Sequence, residues 1–307
     1  MPFLCAAVMF FEKGESVKYS YTGSKDIITI KSIITTEVTG KVASMKMIKP
    51  KSRHPIRLKL GIAFYRLKRH VLWLSGGIKF AKRCETELSY EHFVHETPLL
   101  RHLIGIDPIL ERNKVTNLHI TATKVHMVTL YPSEAFSFWW LIGKPTARKG
   151  YLEGVVLQKG AFDSEIGGGL CHLSGFIYWM TLHTPLTVKE RHRHGYDTTP
   201  NKLFGSDATC FYNYKDLMIE NNTDEVFQLH IEVGENQLKG AWKSDALPKY
   251  RYEIYEKQSE IKQEDWGGYT RHNHLHRRIY DLKDIQIGDE FVAENHAIMM
   301  YPPDGDL

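Results

Sequence analysis

The sequence predicts an α+β fold, in which a mostly antiparallel β domain holds one central helix. Short segments of alternating apolar and polar residues recur through the second half of the chain and are separated by turn residues, as antiparallel strands require. One apolar run at helical spacing, LCHLSGFIYWMTLH, follows three consecutive glycines and ends at Pro185. A basic helical region precedes the β domain.

Length and composition are those of a globular protein. The chain has 307 residues, of which 42% are hydrophobic and 25% charged, so it can bury a full core. We divide it into four predicted segments: a β-rich N-terminal extension (1–50), the basic helical region (51–112), a central domain (113–245) and a β-rich C-terminal tail (246–307).

The basic region has an unusual charge pattern. Between Thr39 and Cys84 there are thirteen Lys and Arg and no acidic residue, although the whole chain has a net charge of only +4. The segment IRLKLGIAFYRLKRHVLWLSGG predicts a helix that ends at its two glycines. One face of this helix carries Leu60, Phe64, Leu67 and Val71, and the other carries Arg57, Lys59, Arg66, Lys68 and Arg69.

Two interpretations of that helix stay open. Its residues, with the rest of the window 39–84, could contact an anionic wall polymer or membrane surface. Alternatively, its apolar face packs on its own domain and the basic face is solvated.

The following elements are predicted from local pattern. Residues 86–112 are expected to be helical, with breaks at Pro98 and Pro108. From Asn113 the pattern KVTNLHITATKVHMVTLYPSEAFSFWW predicts strands. After the central helix we expect further strands in LTVKERHRH, ATCFYNYKDLMIENN, EVFQLHIEVG, QLKGAWKS, KYRYEIYEK, TRHNHLHRRIYDL and EFVAENHAIMMY.

Several classes of protein are disfavoured. Cys5, Cys84, Cys171 and Cys210 form no C-x-x-C pair, so we expect reduced thiols and neither a zinc ribbon nor a disulfide framework. Phosphate-loop, dinucleotide and nucleic-acid motifs are lacking, and no cofactor or nucleic-acid partner is expected. The N-terminal apolar run lacks the features of a signal peptide, and no window reaches the roughly 18 apolar residues of a membrane span. A cytoplasmic or membrane-peripheral location is therefore the expectation.

The stretch EIGGGLCHLSG places Cys171 at the first turn of the central helix. There the unsatisfied N–H groups and the positive end of the helix dipole stabilise a thiolate. The glycines leave the backbone accessible, and N–H groups from Gly169 to His172 could bind an oxyanion. The alternative is a flexible hinge followed by a small buried cysteine.

A cysteine nucleophile needs a base, and ERHRHGYD offers two candidates. His192 and His194 would lie on the same face of a strand, and Asp207 in GSDATC could orient an imidazole. The same spacing also permits a metal site at His192 and His194, or in the cluster His272, His274 and His276. For that cluster a solvated basic tail is the alternative.

Three blocks of the sequence resemble the VanW family in order and spacing. They are YPSEAFSFWWLIGKPTARKGYLEGVVLQKGAF, IGGGLCHLSGFIYWMTLHTPLTVKERHRHGYD and FGSDATCFYNYKDLMIENNT, and the resemblance spans roughly residues 113–245. Gly-Gly-Gly-x-Cys is the signature element of the family.

The resemblance implies a cell-wall context and, for some family members, peptidoglycan L,D-transpeptidase activity on stem peptides. It assigns Cys171 as nucleophile and His194 as base, and we add Asp207 as the orienting carboxylate. Gly167, Gly168, Gly169 and His172 would bind the substrate or its oxyanion. His172 departs from the family, which often has Gln there. A non-catalytic accessory or peptide-binding role, associated with glycopeptide resistance, is the alternative.

Overall fold

The computed structural model describes residues 54–100, 106–158, 160–199 and 202–303. This part of the chain is α+β with mostly antiparallel sheets, as the sequence predicts. The predicted N-terminal extension, 1–50, lies outside the described residues.

The helices are α1 (Pro55–Leu74), α2 (Pro108–Val125), α3 (Phe138–Ile142) and α4 (Cys171–Leu182). The strands are β1 (Lys79–Phe80), β2 (Lys82–Arg83), β3 (Tyr90–Pro98), β4 (Val128–Leu130), β5 (Glu134–Ser137), β6 (Glu153–Gln158), β7 (Ala161–Ile166), β8 (Thr187–Glu190), β9 (Tyr196–Asp197), β10 (Met218–Glu220), β11 (Phe227–Val233), β12 (Gln237–Ser244), β13 (Arg251–Gln263), β14 (Tyr269–Tyr280) and β15 (Gln286–Met299).

The strands form four sheets, whose orders are β1-β5-β10-β8, β2-β4-β11-β12-β3, β13-β14-β15-β9 and the hairpin β6-β7. All pairs are antiparallel except β1 with β5 and β9 with β15. The sheets cross the predicted segment boundaries, since β3 pairs with β12 and β15 pairs with β9. The division into four segments stays a prediction.

Helix α4 is the central helix that the sequence predicts. It packs against β3, β8 and β12, and its aliphatic and aromatic side chains are buried on several faces. The Trp242 indole of β12 donates a hydrogen bond of 3.2 Å to the Thr181 hydroxyl. Because α4 is held in the core, the position of its first turn is fixed.

The strands predicted from Asn113 are confirmed only in part: β4 and β5 form at 128–130 and 134–137, but residues 108–125 form helix α2. Pro108 stands in the first turn, and the Asp107 carboxylate caps the helix by accepting a hydrogen bond of 2.9 Å from the Ile109 amide. Its buried residues recur at helical spacing, and they are Glu111, Lys114, Asn117, Leu118, Thr121, Ala122 and Val125. Tertiary burial of this face outweighs the strand preference of its Val, Ile and Thr residues.

The helix predicted across 86–98 is also wrong, since residues 90–98 form strand β3. Eight of the nine residues of β3 pair with β12, with Val94 opposite Ala241 and Thr97 opposite Leu238. Backbone pairing with a strand far away in sequence decides this element. The strands predicted over 208–222 and 186–194 are shorter than expected, since only β10 and β8 form there.

The C-terminal strand predictions are confirmed. Residues 251–299 form the long strands β13, β14 and β15, joined in sequence order by antiparallel pairing. Within the described ranges, no helix has the length and apolar character needed to cross a membrane.

The basic helix α1 is confirmed as a helix, but the interpretation in which its apolar face packs on its own domain is wrong. The Arg69 side chain is only 7% exposed, whereas the apolar stripe faces outward. The buried contact of this helix is thus an ion pair and not an apolar face. The Arg69 guanidinium binds the Glu190 carboxylate and donates a hydrogen bond of 3.0 Å to the Asn213 carbonyl.

Candidate functional site

The loop of three glycines packs directly against the hairpin formed by β6 and β7. A Cβ on Gly168 would lie 1.9 Å from the Gly154 carbonyl oxygen. Gly167 and Gly169 have φ values of +80° and +89°, a region that side chains disfavour. The Asn117 amide of α2 donates hydrogen bonds of 3.0 Å to the carbonyls of Gly168 and Leu152. The loop is therefore a fixed platform, which contradicts the alternative of a flexible hinge.

Cys171 is the first residue of α4 and is half-buried. Its Sγ lies 3.8 Å from the Cys210 Sγ and 3.4 Å from the Thr209 hydroxyl oxygen. The same sulfur accepts a hydrogen bond of 3.4 Å from the backbone amide of Cys210. The segment 207–210 is held beside α4 by Ser174, whose hydroxyl donates a hydrogen bond of 2.7 Å to the Ala208 carbonyl. The thiol thus lies among hydrogen-bond donors.

His194 and Asp207 form a tight pair. The His194 Nδ1 lies 2.6 Å from the Asp207 Oδ2, and the same oxygen accepts a hydrogen bond of 3.1 Å from the His194 backbone N–H. The neutral tautomer with a proton on Nδ1 would leave Nε2 free to accept a proton. The Asp207 carboxylate thus fixes the orientation of the His194 ring, and its part in a reaction stays a prediction.

Arg191 holds Asp207 in place. Its guanidinium lies 3.3 Å from the Asp207 Oδ1 and donates hydrogen bonds of 2.8 Å to the carbonyls of Asp207 and Gly205. It also donates to the Asn295 side-chain oxygen of β15 at 2.6 Å. Through Asn295, the C-terminal sheet is connected to the Asp207 carboxylate.

The charges of the site support a thiolate. The pKa of the Cys171 thiol is lowered well below its ordinary value, chiefly by the hydrogen bond from the Cys210 thiol; burial opposes this, and His194 lowers the pKa further. Burial alone would lower the pKa of His194, but its interactions with Asp207 and Cys171 raise that pKa to about 10. At neutral pH the favoured state is a Cys171 thiolate beside a His194 imidazolium.

The pKa values of Cys210 and Asp207 are shifted in the directions that favour the Cys171 thiolate and the His194 imidazolium. Burial raises the pKa of the Cys210 thiol well above its usual value, and its hydrogen bond to Cys171 raises it further. Burial acts to raise the pKa of Asp207, but the hydrogen bond and charge of His194, with Arg191, lower it. Cys210 therefore stays protonated as a donor, while Asp207 stays ionised.

Some backbone amides of the glycine loop already donate a hydrogen bond within the protein, and others do not. The amides of Gly167, Gly168 and His172 donate to the carbonyls of Leu152, Glu165 and Gly169 at 2.8–3.0 Å. The amides of Gly169, Leu170 and Cys171 make no hydrogen bond to another described residue. If an oxyanion binds beside Cys171, its amide donors are expected among these three.

These groups line a cleft of about 840 Å³. The hairpin of β6 and β7 forms one wall, and residues within 194–199 and 202–207 form another. A Cβ on Gly160, at the hairpin turn, would lie 2.7 Å from the Tyr196 ring, so the turn contacts that wall. The half-buried His172 also lines the cleft. An extended chain could lie beneath the hairpin with a carbonyl carbon next to Cys171.

The structure brings together Cys171, His194, Asp207, the three glycines and His172, but it separates His192 from them. His192 and His194 lie beyond the end of β8, not on one strand face. The His192 Nε2 is 2.9 Å from the Glu190 carboxylate, whereas His194 binds Asp207. These two histidines therefore have different partners.

The histidines of β14 also have local partners. The Nδ1 atoms of His272 and His296 lie 2.8 Å apart, and the His276 Nδ1 lies 2.7 Å from the Asp289 carboxylate. His274 lies 3.8 Å from the Glu294 carboxylate. In the described ranges, no group of three or more Cys, His, Asp or Glu side chains has the arrangement of a metal site.

Cys210 and Arg191 are parts of the site that were not predicted from the sequence. Cys210 lies three residues after Asp207 in GSDATC, and Arg191 lies three residues before His194. Their proximity to candidate residues was the available signal. It does not reveal that Cys210 lies beside Cys171, because 39 residues separate them in sequence.

Much of the chain is similar to known proteins. The family model described as "VanW like protein" matches residues 113–243. The vancomycin B-type resistance protein VanW of Enterococcus faecalis is 31% identical over 204 residues, which cover 63% of this chain and 74% of that protein. The uncharacterized protein YoaR of Bacillus subtilis is 23% identical over 154 residues, or 50% of each chain. No solved structure gives a significant match.

Proposed function

Because the chain belongs to the VanW family, we propose that it acts on peptidoglycan stem peptides by cysteine-dependent acyl transfer of the L,D-transpeptidase type. One observation carries the proposal: a thiol with a lowered pKa lies at a helix N-terminus beside a His–Asp pair, in a cleft that could hold an extended peptide. These are the components of nucleophilic acyl transfer.

In the first half of the reaction, the Cys171 thiolate attacks the carbonyl carbon that precedes the terminal D-residue of a donor stem. The tetrahedral oxyanion is stabilised by amides among Gly169, Leu170 and Cys171. The C–N bond then breaks, and the His194 imidazolium donates its proton to the leaving amine. The products are a thioester on Cys171 and the free D-residue.

In the second half, neutral His194 accepts a proton from the amine of an acceptor stem as that amine attacks the thioester carbonyl. The new amide bond forms, the C–S bond breaks, and the Cys171 thiolate is restored beside the imidazolium. Asp207 orients His194 and stabilises its positive charge throughout. At the end of the cycle, Cys171 and His194 are therefore back in their starting protonation states.

The direct test is incubation of the full chain with purified tetrapeptide and pentapeptide stems. We expect release of the terminal D-residue from the tetrapeptide, whose last bond joins an L-centre to a D-residue, and a thioester adduct on Cys171 in mass spectra. The pentapeptide, whose last bond joins two D-residues, should keep its terminal residue. Cys171→Ala should abolish the release and the adduct, whereas Cys84→Ala, a change at a cysteine outside the cleft lining, should retain both. Release that persists in Cys171→Ala would overturn the mechanism.

The second candidate is a non-catalytic accessory role in glycopeptide resistance. It is favoured by the name of the enterococcal relative, which is a vancomycin B-type resistance protein. In that role, amides among Gly169, Leu170 and Cys171 would bind the terminal carboxylate of a stem peptide. Binding of the stem, measured by calorimetry, should then be unchanged in Cys171→Ser, and no adduct should form.

A further inference from the structure

Helix α1 presents a continuous apolar stripe to the outside of the described structure. Leu60, Phe64, Leu67 and Val71 are 66%, 61%, 64% and 59% exposed, and Ile56 and Leu74 extend the stripe at both ends. Single exposed apolar residues are common, but six on one face of a 20-residue helix form a patch that calls for a partner.

The helix cannot simply turn to bury this stripe, because its opposite side is anchored. At about 100° per residue, Arg69 lies opposite Leu60. The Arg69 guanidinium binds Glu190 with an N–O distance of 2.7 Å and contacts the Met218 sulfur at 3.2 Å. The Trp73 ring packs edge-on against Trp140, with 5.8 Å between ring centroids. Rotation would leave the Glu190 carboxylate without its guanidinium partner.

The stripe is bordered by cations. Arg57 and Lys68 lie along one edge and Lys59 along the other, and all three side chains are exposed. Within the described part of the chain, none of the three has a carboxylate in ion-pair distance. The helix has no acidic residue, and none occurs anywhere between Thr39 and Cys84.

We propose that α1 docks on an anionic lipid surface, with the stripe among the acyl chains and its bordering cations at the headgroups. Apolar residues flanked by Lys and Arg are the pattern of an interfacial helix. A second copy of this chain fits less well, because two stripes face to face would bring their cationic borders together. The outward orientation of the stripe is what the structure adds to the charge pattern of the sequence.

Docking through α1 would also set the position of the cleft relative to the lipid surface. The inner side of the same helix contributes Ile62 and Arg66 to the cleft lining, and the Arg66 guanidinium donates to the Tyr212 carbonyl at 3.2 Å. The lipid-bound face and the cleft are thus on opposite sides of one helix. A docked protein would hold its cleft close to the bilayer surface.

The test is co-sedimentation of the full chain with vesicles of equimolar phosphatidylglycerol and phosphatidylcholine, and with vesicles of phosphatidylcholine alone. We expect binding to the anionic vesicles, weakened by added salt. Phe64→Ser with Leu67→Ser should lower the partition coefficient at least about tenfold, because two apolar side chains are lost from the lipid contact. Lys59→Gln with Lys68→Gln should lower binding to the anionic vesicles and reduce its salt dependence.

The matched controls are Leu282→Ser with Ile287→Ser, two exposed apolar residues of the C-terminal region, and Lys283→Gln; both should bind as the unchanged protein does. Equal binding by the Phe64–Leu67 variant, or no binding to anionic vesicles, would overturn the proposal. So would a dimer, detected by light scattering, that the same variant dissociates. Cys171→Ala should bind vesicles normally, so this proposal and the proposed catalytic function fail independently.

Discussion

At the residue scale, two neighbouring thiols have opposite pKa shifts. Cys171 is half-buried, borders the cleft and accepts hydrogen bonds, whereas Cys210 is buried and donates. One negative charge is thus stabilised on Cys171, the less buried of the two cysteines. Burial alone would raise the thiol pKa of Cys171, whereas the hydrogen-bond donors and the adjacent imidazolium lower it.

Replacing His194 with Asn is predicted to raise the pKa of Cys171. A lowered thiol pKa means that thiolate predominates above that pKa and is lost as pH falls through it. We expect the iodoacetamide reaction at Cys171, followed by peptide mass spectrometry, to be near its plateau at neutral pH. In His194→Asn the midpoint should move to higher pH, and the rate at pH 6 should fall at least about tenfold.

His192→Asn is the matched control for that experiment. The His192 ring binds Glu190, so its loss should leave the alkylation midpoint unchanged. A midpoint near the ordinary thiol value of about 8.5 in the unchanged protein would contradict the thiolate–imidazolium pair.

At the scale of elements, the glycine loop, α2 and the hairpin of β6 and β7 form one packed unit. Asn117 of α2 binds the loop, and Gly154 of β6 leaves room for it. The loop presents Cys171 because its backbone contacts other backbone without intervening Cβ atoms. The triple glycine is thus a packing requirement.

Gly168→Ala is predicted to displace the loop. The added Cβ would overlap the Gly154 carbonyl, so we expect a loss of roughly 1–3 kcal/mol in urea unfolding and slower alkylation of Cys171. Gly61→Ala is the matched control, because an added Cβ at that helical position has no atom within 4 Å. It should stabilise α1 by up to about 1 kcal/mol and leave alkylation unchanged. Equal behaviour of the two variants would show that the loop is not tightly packed.

At the scale of the whole molecule, the C-terminal sheet supports the site from outside the family match, which ends at residue 243. Asn273 of β14 accepts a hydrogen bond of 2.9 Å from Asn295 and donates one of 2.7 Å to the Phe204 carbonyl. Asn295 in turn accepts from Arg191, which binds Asp207. This series of contacts connects the C-terminal sheet to the Asp207 carboxylate.

Asn295→Ala is therefore predicted to weaken the site, although Asn295 does not line the cleft. Arg191 and Asn273 would each lose a buried partner, at a cost of about 1–3 kcal/mol in unfolding free energy. A less well held Asp207 should lower the pKa of His194 and raise that of Cys171, which an alkylation profile would detect. Asn222→Ala, on the surface, should change neither quantity. An unaltered profile in Asn295→Ala would confine the supporting role to stability.

The sequence by itself determined the fold class, the C-terminal strands, the central helix and the position of Cys171 at its first turn, because these depend on periodicity and turn residues within short segments. Only the tertiary structure decided that 90–98 is a strand and 108–125 a helix, since distant pairing and burial overrode local propensity. It also decided that Cys210 lies beside Cys171 and that α1 buries Arg69 while exposing its apolar stripe. Cys171 and Cys210 are 39 positions apart in sequence, and Arg69 and its partner Glu190 are 121 positions apart. No local sequence pattern encodes contacts over such separations.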